Sequence, residues 1–190
     1  MGVVMGATYL SMQAETTDKN AVIAFSKGFA EKNSEFECYV GEPIGLWTAV
    51  YPSFSPAIDS FARELSKAMG SLVLTLVSLD EDEVMCNFCL AGKDLGFVKI
   101  SADKRRSPKQ QEPVAKRLSL LHRHLDAEQQ KMLLGYLSDT REIVFSADIL
   151  KTFCEATGIR NAMTSYDYIQ RNDYEADLDT KVQLVRITRN

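Results

Sequence analysis

The acidic run Asp80-Glu81-Asp82-Glu83 is the first place to look for chemistry, because adjacent carboxylates are the oxygen ligands a hard divalent cation takes. A cation site needs ligands that converge, and four consecutive carboxylates in a turn point in different directions. The run also lacks the glycine and the distant glutamate of an EF-hand loop. It reads as a solvated turn, and as a surface that a basic partner could meet.

His122 and His124 are the only histidines. On a helix, residues two apart project about 200° apart and cannot share a metal. They read as a surface pair beside Arg123. Cys86-Asn87-Phe88-Cys89 has the spacing of a zinc or redox pair. A zinc site wants a second such pair, and a redox pair wants a helix start. Here the motif lies in an expected strand, where Cys86 and Cys89 face opposite ways. Ser101-Ala102-Asp103-Lys104 spells Ser-x-x-Lys without the Ser-Asp-Asn and Lys-Thr-Gly elements that accompany it in acyl-enzymes. Phosphate loops, Gly-x-Ser-x-Gly and Gly-x-Gly-x-x-Gly are missing. No catalytic residue, metal ligand or cofactor is therefore assigned.

Two features point to binding. Residues 99–123 carry eight basic side chains against two acidic ones, a net charge of +6 in a chain of net charge −4, which leaves the remainder at −10. Lys104, Arg105 and Arg106 are its densest part. No aromatic residue interleaves these cations for base stacking, which disfavours nucleic acid. An acidic protein partner, or self-association against the acidic body, is equally served, and a plain solvated linker is the commonest explanation of such a stretch. The second feature is aromatic: Trp47 and Tyr51 share a strand face near Phe54. With that end of the sheet open, they would anchor a partner; otherwise they are core. Tyr166, Tyr168 and Tyr174, among Asp167, Asp173, Asp177 and Asp179, form a further acidic-aromatic stretch near the end of the chain.

The elements that position these groups follow from periodicity. Leu72–Leu79 is apolar on both strand faces, so it belongs inside a sheet. Residues 7–14, 36–40, 46–51, 84–90 and 95–100 read as further strands, the last two joined through Ala91-Gly92-Lys93-Asp94. Val22, Phe25 and Phe29 mark one helix, begun near Asp18 and stopped at Asn33. Ser55-Pro56 begins a second, closed by Gly70. The first six elements match the β-α-β-β-α-β unit of a ferredoxin-like sandwich. Its fourth strand is too apolar for an edge, so the hairpin after it should extend the sheet.

Residues 101–113 read as an exposed basic linker between an α+β sheet domain (1–100) and a helical C-terminal segment (114–190). Pro113 should open a helix with Leu118, Leu121 and Leu125. Asp126-x-x-Gln129 is a capping box for the next, and Ser146 caps a third that ends at Gly158. Val182–Ile187 reads as a last strand or docked tail. Interior strands need cover on both faces, so the C-terminal helices should pack on the sheet as a third layer. The competing picture is a separate lobe hinged at the linker.

The bulk properties agree with a folded domain: 190 residues, 45% apolar and 25% charged. The chain has no apolar run near the roughly 18–20 residues that span a bilayer, and no secretory pattern at its start. A cytoplasmic location and reduced, buried cysteines at 38, 86, 89 and 154 are expected. The resulting expectation is a non-enzymatic protein-binding module of immunity, inhibitory or regulatory type. The alternative is a hydrolase using dispersed carboxylates, with or without a metal, near residues 80–83.

Overall fold

Leu72–Leu79 organises the molecule. Leu72, Leu74 and Leu76 are buried in one apolar cluster, and Val73 is buried in another on the opposite side. A strand buried on both faces must lie within a sheet that carries cover above and below. The computed structural model describes residues 8–79, 83–143, 145–171 and 184–189, and it has this form. In chain order the strands are β1 (Tyr9–Glu15), β2 (Cys38–Val40), β3 (Trp47–Pro52), β4 (Leu72–Leu79), β5 (Glu83–Leu90), β6 (Lys93–Ser101) and β7 (Val185–Ile187). The helices are α1 (Lys19–Lys32), α2 (Ile58–Met69), α3 (Pro108–Leu118), α4 (Ala127–Ser138), α5 (Ser146–Thr157) and α6 (Tyr166–Arg171), with a 3-10 turn at Ser119–Leu121.

The seven strands form one antiparallel sheet in the order β6-β5-β4-β1-β3-β2-β7. The expected hairpin β5–β6 extends the sheet beyond β4, and β7 adds to β2 at the far side. α1 and α2 cover one face around four phenylalanines. Phe36 stacks on Phe61 at 4.4 Å between ring centroids, and Phe29 meets both edge-on. α3, α4 and α5 cover the other face, burying Leu118, Leu137, Ile149 and Phe153 against Leu74, Leu76, Phe88 and Val98. The third layer is therefore present, and the C-terminal helices share a core with the sheet.

Local chemistry sets several boundaries. Asp18 accepts the Ala21 N–H at 2.9 Å and caps α1, which ends at Asn33. Asp126 and Gln129 close a reciprocal capping box at 2.8 and 2.9 Å. Gly70 ends α2 and Gly158 ends α5 at φ of 62° and 70°, a region that costs other residues energy. Ala91 and Gly92, at φ 48° and 84°, make a two-residue turn, shorter than the four-residue connection expected.

Three expectations are corrected. Ser55-Pro56 forms a turn ahead of α2, in which Ser55 Oγ accepts the Ala57 N–H at 3.2 Å, and the helix starts at Ile58. Ser146 is the first residue of α5 rather than its cap; its hydroxyl is buried and meets Ser78 Oγ at 3.0 Å. Residues 101–113 are not a free linker. α3 starts at Pro108, so Pro113 sits inside it. Residues 101–106 are stitched to 138–140: the Asp103 N–H donates to Thr140 O at 2.9 Å, Thr140 N–H to Lys104 O at 2.7 Å and Arg106 N–H to Ser138 O at 2.8 Å.

Candidate functional site

β6 is the last strand on its side of the sheet, so its outward carbonyls need partners other than a strand. Three side chains supply them. Arg117 Nη2 donates to Leu95 O at 2.6 Å, Arg106 Nη2 donates to Lys99 O, and Thr140 Oγ1 donates to Ser101 O at 2.8 Å. Gly96 sits at φ 81°, and a Cβ there would lie 2.9 Å from Arg117 Nη2. Glycine thus both adopts the backbone turn and leaves room for the guanidinium. Arg106 Nη1 also donates to Leu137 O at 3.1 Å, so this side chain ties the edge strand to α4. Burial lowers its pKa from the ordinary arginine value. Arg106 was expected as an exposed binding cation; it is half-buried and committed to backbone carbonyls.

Between β6 and the first turns of α3 lies a cleft of about 480 Å³, lined by Phe97, Lys99, Ser101, Lys104, Arg105 and Lys109 with Val114 beneath. The sheet pleat explains Phe97. Val98 and Ile100 enter the core shared with α3, so the side chains of Phe97 and Lys99 project from the opposite face of the sheet, and these residues meet the cleft at the strand edge. Phe97 is 62% exposed. The cations differ in what already holds them. Lys99 Nζ is 2.6 Å from Glu83 Oε2. Arg105 Nε reaches Asp139 Oδ2 only at 3.8 Å, while Arg141 holds the same carboxylate at 2.7 Å. Among the described residues, Lys104 and Lys109 draw no ion pair. Lys104, Lys109 and the weakly held Arg105 are thus cleft cations without a close ion pair among the described residues.

The other sequence candidates lie elsewhere. Trp47 is 2% and Tyr51 0% exposed. The C-terminal layer covers them, so that end of the sheet is not open and neither is a surface anchor. Trp47 Nε1 donates to Thr157 O at 3.1 Å and Tyr51 Oη to Asn161 O at 2.8 Å. Asp80, Glu81 and Asp82 lie outside the described residues, as do Tyr174, Asp173, Asp177 and Asp179. Tyr166 is buried and its hydroxyl donates to Glu37. His124 is not a surface residue. Its side chain is 7% exposed, its ring stacks on Trp47 at 4.4 Å, and Nε2 lies 3.1 Å from Glu15 Oε1. The chain turns there after the 3-10 segment instead of continuing as a helix.

The four cysteines are free thiols, all buried. Cys86 and Cys89 enter different core clusters, on opposite faces. Burial pushes the Cys38 thiol up to about 12 and the Cys89 thiol up to about 11. Thiols so raised are poor nucleophiles and poor metal ligands. Among the described residues, no three His, Cys, Asp or Glu side chains converge as a metal's ligands would. No described helix is long and apolar enough to cross a membrane.

Sequence reasoning missed Phe97. The signal was the strand alternation itself: with Val98 and Ile100 assigned inward, Phe97 had to face out, two residues before the basic stretch. Comparison with protein-family models, with curated proteins and with solved structures finds no match in any of the three.

Proposed function

We propose that this chain is a non-enzymatic binding protein of immunity, inhibitory or regulatory type, acting in the cytoplasm on an acidic protein partner. The contact surface is the cleft between β6 and α3. One observation carries the reading: Lys104, Arg105 and Lys109 line one cleft, and among the described residues the two lysines have no ion pair and Arg105 has only a distant one. Exposed cations steer an acidic partner in. In the same reading the first six elements are a ferredoxin-like core extended at both edges. The strand order β4-β1-β3-β2, with α1 and α2 packed in one cluster, supports that assignment. For the hydrolase alternative, Glu83 is held by Lys99, and nothing in the described residues favours it.

The test is capture on immobilised protein at low and moderate salt, with wild type beside a Lys104→Glu/Lys109→Glu variant whose melting temperature is checked. A partner retained by wild type, weakened by salt and lost from the variant supports the reading. Capture that is indifferent to both reversals sinks it, and a second copy of the chain as the retained species replaces the partner with self-association.

A further inference from the structure

We infer that the outer edge of β2 is a strand-addition site for an extended segment of a partner protein with the alternation aliphatic–arginine–aliphatic, and that β7 is the chain's own occupant of it. This surface lies at the other end of the strand order from the β6 cleft and goes beyond the acidic-partner reading. An edge strand offers unpaired N–H and C=O groups to any second chain. At β6 this is prevented, because the carbonyls of Leu95, Lys99 and Ser101 accept from Arg117, Arg106 and Thr140 of the packed layer. At β2 the cover is itself a strand, three residues long, paired as Cys38 with Ile187, Tyr39 with Arg186 and Val40 with Val185. So short a strand is a small cooperative unit and opens locally at low cost. The edge beneath it is apolar, for Cys38 and Val40 are both 0% exposed with β7 in place.

The seats of β7 define what else fits. Ile187 is buried in the cluster under α1 and α2, and Val185 packs against the same cluster, so both flanking positions take aliphatic side chains. The central position points the other way, as strand alternation requires. There Arg186 Nη2 lies 3.2 Å from Glu37 Oε2 and from Tyr166 Oη, with the guanidinium 6.0 Å from the Tyr39 ring centroid. A carboxylate, a phenol oxygen and a ring face together select arginine, which bonds and stacks at once, over lysine. Outside residues 99–123 the chain carries a net charge of −10, which favours the approach of a basic segment. The resident strand also leaves a cleft of about 250 Å³ beside α1, lined by Lys27, Glu31, Arg186, Ile187 and Thr188. A residue longer than threonine at the last of these positions has room there, which gives a partner contacts that the chain's own strand lacks.

The experiment is fluorescence anisotropy on the full chain with a dye-labelled peptide Leu-Val-Arg-Ile-Thr-Arg, a version with Glu for its central Arg, and two versions N-methylated on alternate backbone amides. The peptide should bind Ile187→Asp and Arg186→Glu about tenfold or more tighter than wild type, because their own strand competes less. The Glu version should bind about tenfold more weakly. One N-methylated version should lose binding and the other keep it, since only one side of a strand pairs with the edge. Alkylation of Cys38, mapped by mass spectrometry, gives a second reading. The thiol lies opposite Ile187 and burial pushes it up to about 12. It should react slowly in wild type, faster in both variants, and slowly again once peptide is bound. Should Ile187→Asp not fold, Arg186→Glu, which changes an exposed residue, carries the comparison. Equal affinity for wild type and variants, no peptide protection of Cys38, or indifference to both N-methylations overturns the strand-addition site. Equal binding of the Glu version overturns the stated chemistry. A wild-type dimer that the peptide dissociates makes a second copy the occupant and overturns the assignment to a partner protein.

Discussion

The two edges of the sheet are closed by the same kind of contact, an arginine set against acceptors, yet they end in different states. At the β7 edge one nitrogen of the Arg186 guanidinium is shared between two acceptors. Nη2 lies 3.2 Å from both Glu37 Oε2 and Tyr166 Oη, and the group sits 6.0 Å from the Tyr39 ring centroid. The Tyr166 hydroxyl, more than the arginine, holds the Glu37 carboxyl below its ordinary range, while burial and the same bond push Tyr166 up to about 12. At the β6 edge Arg106 and Arg117 are engaged in the same way, but Lys104, Arg105 and Lys109 remain beyond what closure needs. One edge uses its charge to hold the tail; the other has cations without close ion pairs among the described residues. That surplus is what distinguishes the two edges.

The contrast can be broken from its middle outward. Leu76 is fully buried in β4, on which the β6 side of the sheet is built. Leu76→Asp should abolish soluble folded protein, because an unpaired buried carboxylate costs several kcal/mol, comparable with the whole folding free energy. A mutant that melts within a few degrees of wild type would remove this strand from the core. Next in size is Arg106→Ala. It strips charged donors from Leu137 O and Lys99 O and should cost about 1.5–3 kcal/mol, read as a melting temperature several degrees lower. If the protein keeps its stability, Arg106 is a free cation after all and the sorting of cations fails.

Lys104→Glu/Lys109→Glu should do the opposite. Stability should stay within about 0.5 kcal/mol, as for exposed substitutions, while affinity for an acidic ligand falls about tenfold. A large loss of stability would make these lysines structural and erase the difference between the edges. The smallest effect is at β7. Glu37 has a depressed folded-state pKa, so the clasp contributes fully above the ordinary carboxylate range and is lost as pH falls through the folded value. Partly exposed as it is, the clasp should be worth at most about 1 kcal/mol. Arg186→Ala should therefore lower the melting temperature slightly at pH 7, by less near pH 3, and leave binding at the β6 cleft untouched. An unchanged difference across pH would detach Glu37 from the clasp.

Much of the frame was legible because its causes are short-range. Asp126 and Gln129 cap α4 through atoms three residues apart, Gly70 and Gly158 stop helices at their own φ, and Leu72–Leu79 declares an interior strand by its own side chains. Residues 101–113 are largely exposed, as expected of a linker, but that they hold the start of α3 and bond to residues 137–140 was not legible, for the opposite reason. Nothing in Lys104-Arg105-Arg106 says that Thr140 and Leu137 will arrive beside it.

Local pattern alone settled most strands and the bodies of α1, α2, α4 and α5, that the sheet needed two covers, and where positive charge concentrates. Periodicity, caps and composition act over a few residues and need no partner to be read. Only the tertiary structure decided which groups meet. His124 reaches Glu15 across 109 positions and Trp47 reaches Thr157 across 110. A basic cleft forms beside β6 because α3 lands next to that strand. Such pairings form only when whole layers close on each other and bury their apolar faces together, and no local pattern encodes which polar groups that closure brings within reach.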